Sequence, residues 1–468
     1  MSNDNIHLIR FILSTSTSFI FLISSVQQKD SDHTWPLVRH IMKLIKNEAG
    51  SVNMYRYVGN FFKARFTKYG DSELRGVWVT TVRNNDFPSK GGLELAQFQQ
   101  EFQAILGICK AFKLNALFFQ VRPEGDAFYP SGVNPWSEYL TGEQGVKPNW
   151  GDFDPLTWII AETHKAKMEF HAWLNPYRLT PSNKKGTTKE ELLGRLSPDH
   201  YARRHLDWVY FFNGELFLNP GVPAVTQLMV STVDEILQNY DVDAIHLDDF
   251  FYPYSYKDKS SGKLIKFAEV NPDYDSYLTY RHDLNQDIHT WREANINHMV
   301  YSLHETVQHY NRIHHTQVEF GISPFGIWAS VDEAPGGSAT SSAQLSSLSE
   351  YVNSKLWIDN GWIDYILPQV YWSFNDELSP FAAVCDWWNG VVAGSRTKLY
   401  IGLGLYLYEE DASNPSWQNP QEIIDQINYI RQLPNVSGYV FFTYHNLVAE
   451  RTQSQALKQA LVKLKGVM

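Results

Sequence analysis

Cysteine is scarce in this chain: Cys109 and Cys385 are the two among 468 residues. At most one disulfide is available, and neither cysteine has the spacing of a metal or redox motif, so a disulfide-stapled scaffold is excluded. Positive charge is not in excess either. The formal net charge is -11 and no basic stripe stands out, which argues against nucleic acid as a partner, because neutralising phosphates takes clustered Lys and Arg. The chain has no phosphate-binding P-loop and no Gly-x-Ser-x-Gly nucleophile turn. An unbroken apolar run long enough to span a bilayer is also missing. Phe11-Ile12-Leu13 and Phe19-Ile20-Phe21-Leu22-Ile23, after Arg10, come nearest, and a Ser/Thr-rich run separates them. They read as a weak signal peptide cleaved after Ser25 or a membrane anchor, or else as a plain amphipathic helix or a misplaced start. Residues 1–72 are expected to form an N-terminal extension ahead of a catalytic domain over 73–468. The expected location is the cell envelope, periplasmic or secreted, with the cytoplasm as the alternative.

Aromatic residues are plentiful, with 15 Trp, 26 Tyr and 27 Phe. Such rings stack on the apolar faces of sugars or simply fill a large core. From residue 73 a repeating pattern sets in. Apolar strands are predicted at Gly76–Thr81, Ala116–Val121, Glu169–Leu174, within the stretch Tyr240–Pro253 up to the carboxylates Asp248 and Asp249, and at Val318–Ser323, Tyr365–Trp372, Leu399–Tyr406 and Gly438–Thr443. Between them lie segments of helical spacing, such as Leu93–Phe112 and Val225–Gln238. Strands this continuously apolar are buried on both faces and therefore parallel. Eight strand–helix units predict an α/β fold, a closed (β/α)8 TIM barrel with long βα loops. An open doubly wound sheet is the alternative, but it calls for a Gly-rich turn after the first strand, which Thr81 to Pro88 lacks.

In such a barrel the active site forms at the C-terminal strand ends. The fourth strand ends Ile245-His246-Leu247-Asp248-Asp249-Phe250-Phe251-Tyr252-Pro253. Alternation puts Ile245 and Leu247 toward the helices and His246 and Asp248 toward the interior. Adjacent carboxylates repel, a cost that catalysis justifies. The other strand ends supply Asp86, Arg122, Glu124, Asp126, His171, Asn175, Arg178, Gln369, Tyr371 and His445, with the rings of Tyr129, Trp136, Trp173, Tyr177, Tyr252, Trp328, Trp372 and Tyr406. Each has a plain structural alternative: Asp86 as a turn cap, Arg122 as a partner of Asp126, His445 as a satisfied loop histidine. Their clustering is what points to a site. His171, His246, Asp248 and His445 would suit an amidohydrolase-like metal centre. Those barrels open with His-x-His after the first strand, and Trp78-Val79-Thr80-Thr81 has none. No metal or cofactor is therefore expected.

Several motifs in order are similar to those of the bacterial glycosyl-hydrolase-like 10 family. They are Arg75-Gly76-Val77-Trp78-Val79-Thr80-Thr81-Val82, Gln120-Val121-Arg122-Pro123, Asp126-Ala127-Phe128-Tyr129, His171 to Arg178, the fourth-strand stretch, Gly326-Ile327-Trp328, and Gly361 to Trp372. The resemblance implies a (β/α)8 glycoside hydrolase acting on a polysaccharide. The family includes a cell-division enzyme that cleaves peptidoglycan strands already stripped of stem peptides. Phe87 stands where the family tends to carry Trp. Asn134 stands where an acidic residue is common, removing one carboxylate from the expected mouth. Two mechanisms fit. In one, Asp248 or Asp249 is the nucleophile and Asp126 or Glu124 the acid. In the other, the substrate's own N-acetyl group attacks while one Asp orients it and its neighbour protonates the leaving group. A different polysaccharide, a transglycosylase or metal-dependent deacetylase, and a non-catalytic glycan-binding barrel are the rival readings.

Overall fold

A computed structural model of the chain describes residues 67–181, 187–258, 261–341 and 346–468. The reading of the first 66 residues as signal, anchor or linker falls outside them. The described residues lie in one compact unit, Ala64–Met468. Its centre is a closed barrel of eight parallel strands, β1 (Leu74–Val79), β2 (Ala116–Arg122), β3 (Glu169–Leu174), β4 (Ala244–Leu247), β5 (Glu319–Ile322), β6 (Tyr365–Ile366), β7 (Lys398–Gly404) and β8 (Val436–Phe442). Consecutive strands are neighbours, and β8 closes onto β1 with Val77 opposite Phe441. A helix follows each strand: α1 (Leu95–Ala111), α2 (Pro155–Lys165), α3 (Pro223–Asn239), α4 (Ile288–His314), α5 (Ser354–Asn360), α6 (Phe381–Val391), α7 (Glu422–Ile430) and α8 (Gln455–Val467). The expected (β/α)8 TIM barrel is the fold observed. Among the described residues no helix is long and apolar enough to cross a membrane.

Strand alternation divides the side chains between two layers. Val77, Val79, Leu117, Phe119, Phe170, Ile245 and Leu247 join the helices in the main core. Trp78, Phe118, Trp173, Ala244, Tyr365, Tyr400 and Val440 fill the barrel interior. On α1 the buried residues Phe98, Phe102, Ile105, Leu106 and Cys109 form the stripe expected of an amphipathic helix. Cys109 and Cys385 are both buried and free.

A polar chain runs through the interior. Trp78 Nε1, which can only donate, meets His246 Nε2 at 3.3 Å. That nitrogen is therefore an acceptor, and the neutral ring carries its proton on Nδ1, 3.0 Å from the Tyr365 hydroxyl. Tyr365 in turn lies 3.0 Å from His171 Nδ1, and His171 Nε2 lies 3.2 Å from Glu169. Burial holds His246 well below the usual histidine range, in keeping with its neutral form. Gly321 makes room for the shared tyrosine, since a Cβ there would stand 2.1 Å from the Tyr365 ring. Gly321→Ala is expected to destabilise the barrel by about 3 kcal/mol, through overpacking and loss of the histidine bonds, read as a lower urea midpoint.

The structure departs from the sequence expectations in the loops. β6 stops at Ile366 instead of reaching Trp372, because Pro368 has no N–H for a ladder. The chain stays near its neighbours through bridges of Gln369 to Phe325 and Gly402. The excursion before α3 holds a two-stranded hairpin, Val209–Phe212 with Glu215–Leu218. The insertion before α4 contains a second small hairpin and the short helices Phe267–Val270 and Tyr274–Tyr280. It is fastened to α4 by Arg292, fully buried and paired with Asp273.

Candidate active site

β4 delivers Asp248 and Asp249 just past its last ladder residue, where each meets a different set of donors. Asp248 is 4% exposed, and its Oδ2 accepts from Trp173 Nε1 at 2.9 Å and Asn175 Nδ2 at 3.1 Å. Its Oδ1 has only contacts of 3.3 Å, from Asn175 Nδ2 and the Phe250 N–H. Asp249 is partly exposed and receives one strong donor on each oxygen, the Tyr254 hydroxyl at 2.5 Å and Gln369 Nε2 at 2.9 Å. Burial, and then the charge of Asp249, push the Asp248 carboxyl up to about 7, although Arg178, Trp173 and Asn175 hold it down. Burial raises Asp249 as well, against the pull of Tyr254 and Gln369. The two are coupled, and burial together with their mutual repulsion favours keeping one of them protonated. That is the state needed for one group to give a proton while its neighbour steadies positive charge.

The β2 loop brings Glu124 and Asp126, 1% and 0% exposed. Glu124 accepts from the Tyr139 hydroxyl at 2.8 Å and faces Arg178 Nε at 3.6 Å. Burial raises its carboxyl to about 8, opposed first by Arg178. Asp126 accepts from the Glu124 N–H at 3.2 Å and Gln144 at 3.4 Å, and burial raises it too. Arg178 is half-buried and lies over the Phe250 ring at 4.7 Å. Its charge lowers Glu124, Asp248 and Asp249 alike, so this one guanidinium ties the two acidic clusters together. Asn175 positions it, since Asn175 Oδ1 accepts the Arg178 N–H at 2.8 Å while Nδ2 serves Asp248.

Partly exposed rings surround the pair: Phe250, Tyr254, Phe325, Tyr371, Trp372, Tyr406 and Phe442. Tyr371 and Tyr406 meet edge-on at 5.6 Å, and Trp372 packs on Phe325 at 5.5 Å. The Tyr371 hydroxyl is buried without a protein partner. So is His445 Nδ1.

Other residues expected at the mouth serve the scaffold. Tyr129, Tyr177 and Tyr252 are at most 1% exposed within the outer core and do not line the mouth. Trp136 packs against the same core. Trp328 is buried and stacked on Trp387. Arg122 is fully buried and binds Asn134, the Asn175 carbonyl and Tyr201. Asp86 accepts from the Thr80 N–H and hydroxyl, Thr443 and the His445 N–H, pinning the end of β1 to the end of β8. His171 and His246 belong to the interior chain around Tyr365, below the carboxylate pair. Asn134 is also internal, held between Arg122 and Thr232, so it is not a missing mouth carboxylate. Phe87 is core, 4.8 Å from the Phe98 ring. Sequence reasoning missed Tyr254, Tyr139 and Phe250. Only the nearness of Phe250 and Tyr254 to the Asp pair along the chain hinted at two of them.

Residues 73–419 match the Glycosyl hydrolase-like 10 family. Glycosyl hydrolase YngK of Bacillus subtilis (strain 168) is 39% identical over 377 residues, covering 81% of this chain and 69% of its own length. Glycosyl hydrolase DigH of Escherichia coli (strain K12) is 32% identical over 400 residues, covering 83% of this chain and 86% of its own. Among solved structures, the glycoside hydrolase domain of PgaB (BpsB) from Bordetella bronchiseptica gives a TM-score of 0.45 at 12% identity, covering 83% of this chain and 98% of that one. That likeness is too distant to speak to chemistry. With a family match over most of its length and relatives above 30% identity, the chain belongs to the glycosyl hydrolase-like 10 family and is a glycoside hydrolase.

Proposed function

We propose that this glycoside hydrolase cleaves N-acetylated glycan strands of the bacterial cell wall, peptidoglycan freed of its stem peptides, and that it acts in the cell envelope. The observation that carries the reading is the side-by-side pair Asp248 and Asp249 at the mouth of a ring-lined barrel, each held by its own donors and both raised by burial. Such a pair suits a reaction in which the substrate's own acetamido group is the nucleophile. The acetamido carbonyl oxygen bonds to the anomeric carbon as the glycosidic bond breaks, and the leaving oxygen takes the proton from the pair. The remaining carboxylate steadies the positive charge on the acetamido nitrogen. Water then opens the cyclic intermediate and returns the proton. The rival arrangement, with Glu124 or Asp126 as acid, is less well supported, because both carboxyls are sealed from solvent while Asp249 is not.

The test is mass spectrometry of products after incubation with peptide-stripped and intact peptidoglycan. The expected result is peptide-free sugars with reducing ends, from the stripped glycan alone and with undiminished yield after exhaustive chelation. Anhydro ends would assign a lytic transglycosylase instead. Loss on chelation would favour a metal-dependent deacetylase, and silence on both substrates another polysaccharide or a binding protein.

A further inference from the structure

The insertion after β4 places one hydroxyl in the site that the mechanism above does not use. Tyr254 donates to Asp249 Oδ2 at 2.5 Å. Its ring lies between Phe250 and Phe325, at centroid distances of 5.9 and 6.0 Å. Burial and the Asp249 charge push the phenol well above its ordinary range, so it remains a donor throughout the working pH range. Next in the chain is Ser255, whose N–H and hydroxyl both donate to Glu350, a carboxylate 6% exposed in the loop after β5. Glu350 lies near enough to Tyr254 for its charge to help raise the phenol. The charges of Lys266 and Arg292 also act on Glu350, but its hydrogen bonds come from Ser255. Burying an acid is costly, and here both of its hydrogen bonds are directed at the residue that follows Tyr254.

We propose that Tyr254 is a positioning residue for the hydrolysis, and that Glu350 holds it in place through Ser255. The inference rests on the Asp248/Asp249 reading and deepens it. The Tyr254 hydroxyl stabilises the charged form of Asp249, so it delays the second protonation of the pair as pH falls. The pair is competent only with one proton aboard: above about 7 it loses the proton it must give, and at low pH it loses its charge. Tyr254 widens that window on the acid side. The groups acting on Asp249 are Asp248 from the same strand end, Arg178 from the β3 loop, Gln369, Tyr371 and Tyr406 from the β6 and β7 loops, and Tyr254 itself. Of these, Tyr254 and Gln369 are the two that donate to its oxygens through side chains.

The experiment is the pH profile of kcat on peptide-stripped peptidoglycan for the wild type, Tyr254→Phe, Glu350→Ala and Glu350→Gln. It is paired with a substrate-free titration of the Asp carboxyl carbons by 13C NMR. Losing a hydrogen bond to a charged group moves a pKa by about one unit or more, so Tyr254→Phe should raise the acidic limb by about one pH unit, with roughly tenfold lower kcat below it. The basic limb should stay in place. Glu350→Ala should move the acidic limb in the same direction. Glu350→Gln, which keeps an acceptor for the Ser255 N–H, should restore it. An acidic limb and an Asp249 titration unmoved in Tyr254→Phe would overturn the proposal. So would Glu350→Ala lowering kcat equally at every pH. If the wild type leaves this glycan untouched, the substrate reading fails, and the NMR titration still decides the role of Tyr254.

Discussion

Asp248→Asn and Asp249→Asn should each lower kcat on the stripped glycan by at least about a thousandfold, equivalent to some 4 kcal/mol of transition-state stabilisation. The amide is nearly isosteric, so the fold should be retained. At Asp248 an amide oxygen can still accept from Trp173 Nε1 and Asn175 Nδ2. At Asp249 it can still serve Tyr254 or Gln369. What either change removes is a carboxyl's chemistry, because an amide neither releases a proton at neutral pH nor carries the compensating charge. The measurement is kcat by reducing-end release, alongside circular dichroism and binding of the uncleaved glycan. Both variants should bind and melt much as the wild type does. Wild-type turnover in either would remove that carboxylate from the mechanism.

The second large effect concerns the substrate. Strands chemically freed of their N-acetyl groups should be cleaved slower by a factor on the order of 10³ or more, since an oriented intramolecular nucleophile supplies that much over solvent water. A double displacement through Asp248 or Asp249 would need Glu124 or Asp126 as its acid, and both are sealed beneath the Tyr139 and Gln144 contacts. Re-acetylation of the same strands should restore the rate, which separates the lost nucleophile from changed solubility. If the de-acetylated strands are cleaved at near-wild-type rates, a protein carboxylate is the nucleophile. That nucleophile would be Asp248 or Asp249, and the Glu124/Asp126 cluster would have to open to supply the acid.

Much of this molecule was determined by local sequence pattern. Eight apolar segments at βα spacing fix a parallel barrel, because strands buried on both faces and joined by amphipathic helices have few other ways to cover their surfaces. Alternation along β4 assigns Ile245 and Leu247 to the helix layer and His246 to the interior, and it leaves the Asp pair at the catalytic end. The family motifs carry the reaction class. The loops obey no such period. Tyr177 follows Trp173 by four residues, yet it is buried in the outer core while Trp173 holds Asp248. Arg122 looked like a mouth cation and instead ties loop backbone together. Tyr254, inside an insertion with no repeating pattern, turns back onto Asp249. Local pattern settles which face of a strand a side chain takes, because backbone geometry imposes it residue by residue. Where a loop returns, and which hydroxyl meets which carboxylate, depends on contacts between segments far apart in the chain, such as Gln369 with Asp249 across 120 residues. Only the folded structure decides those.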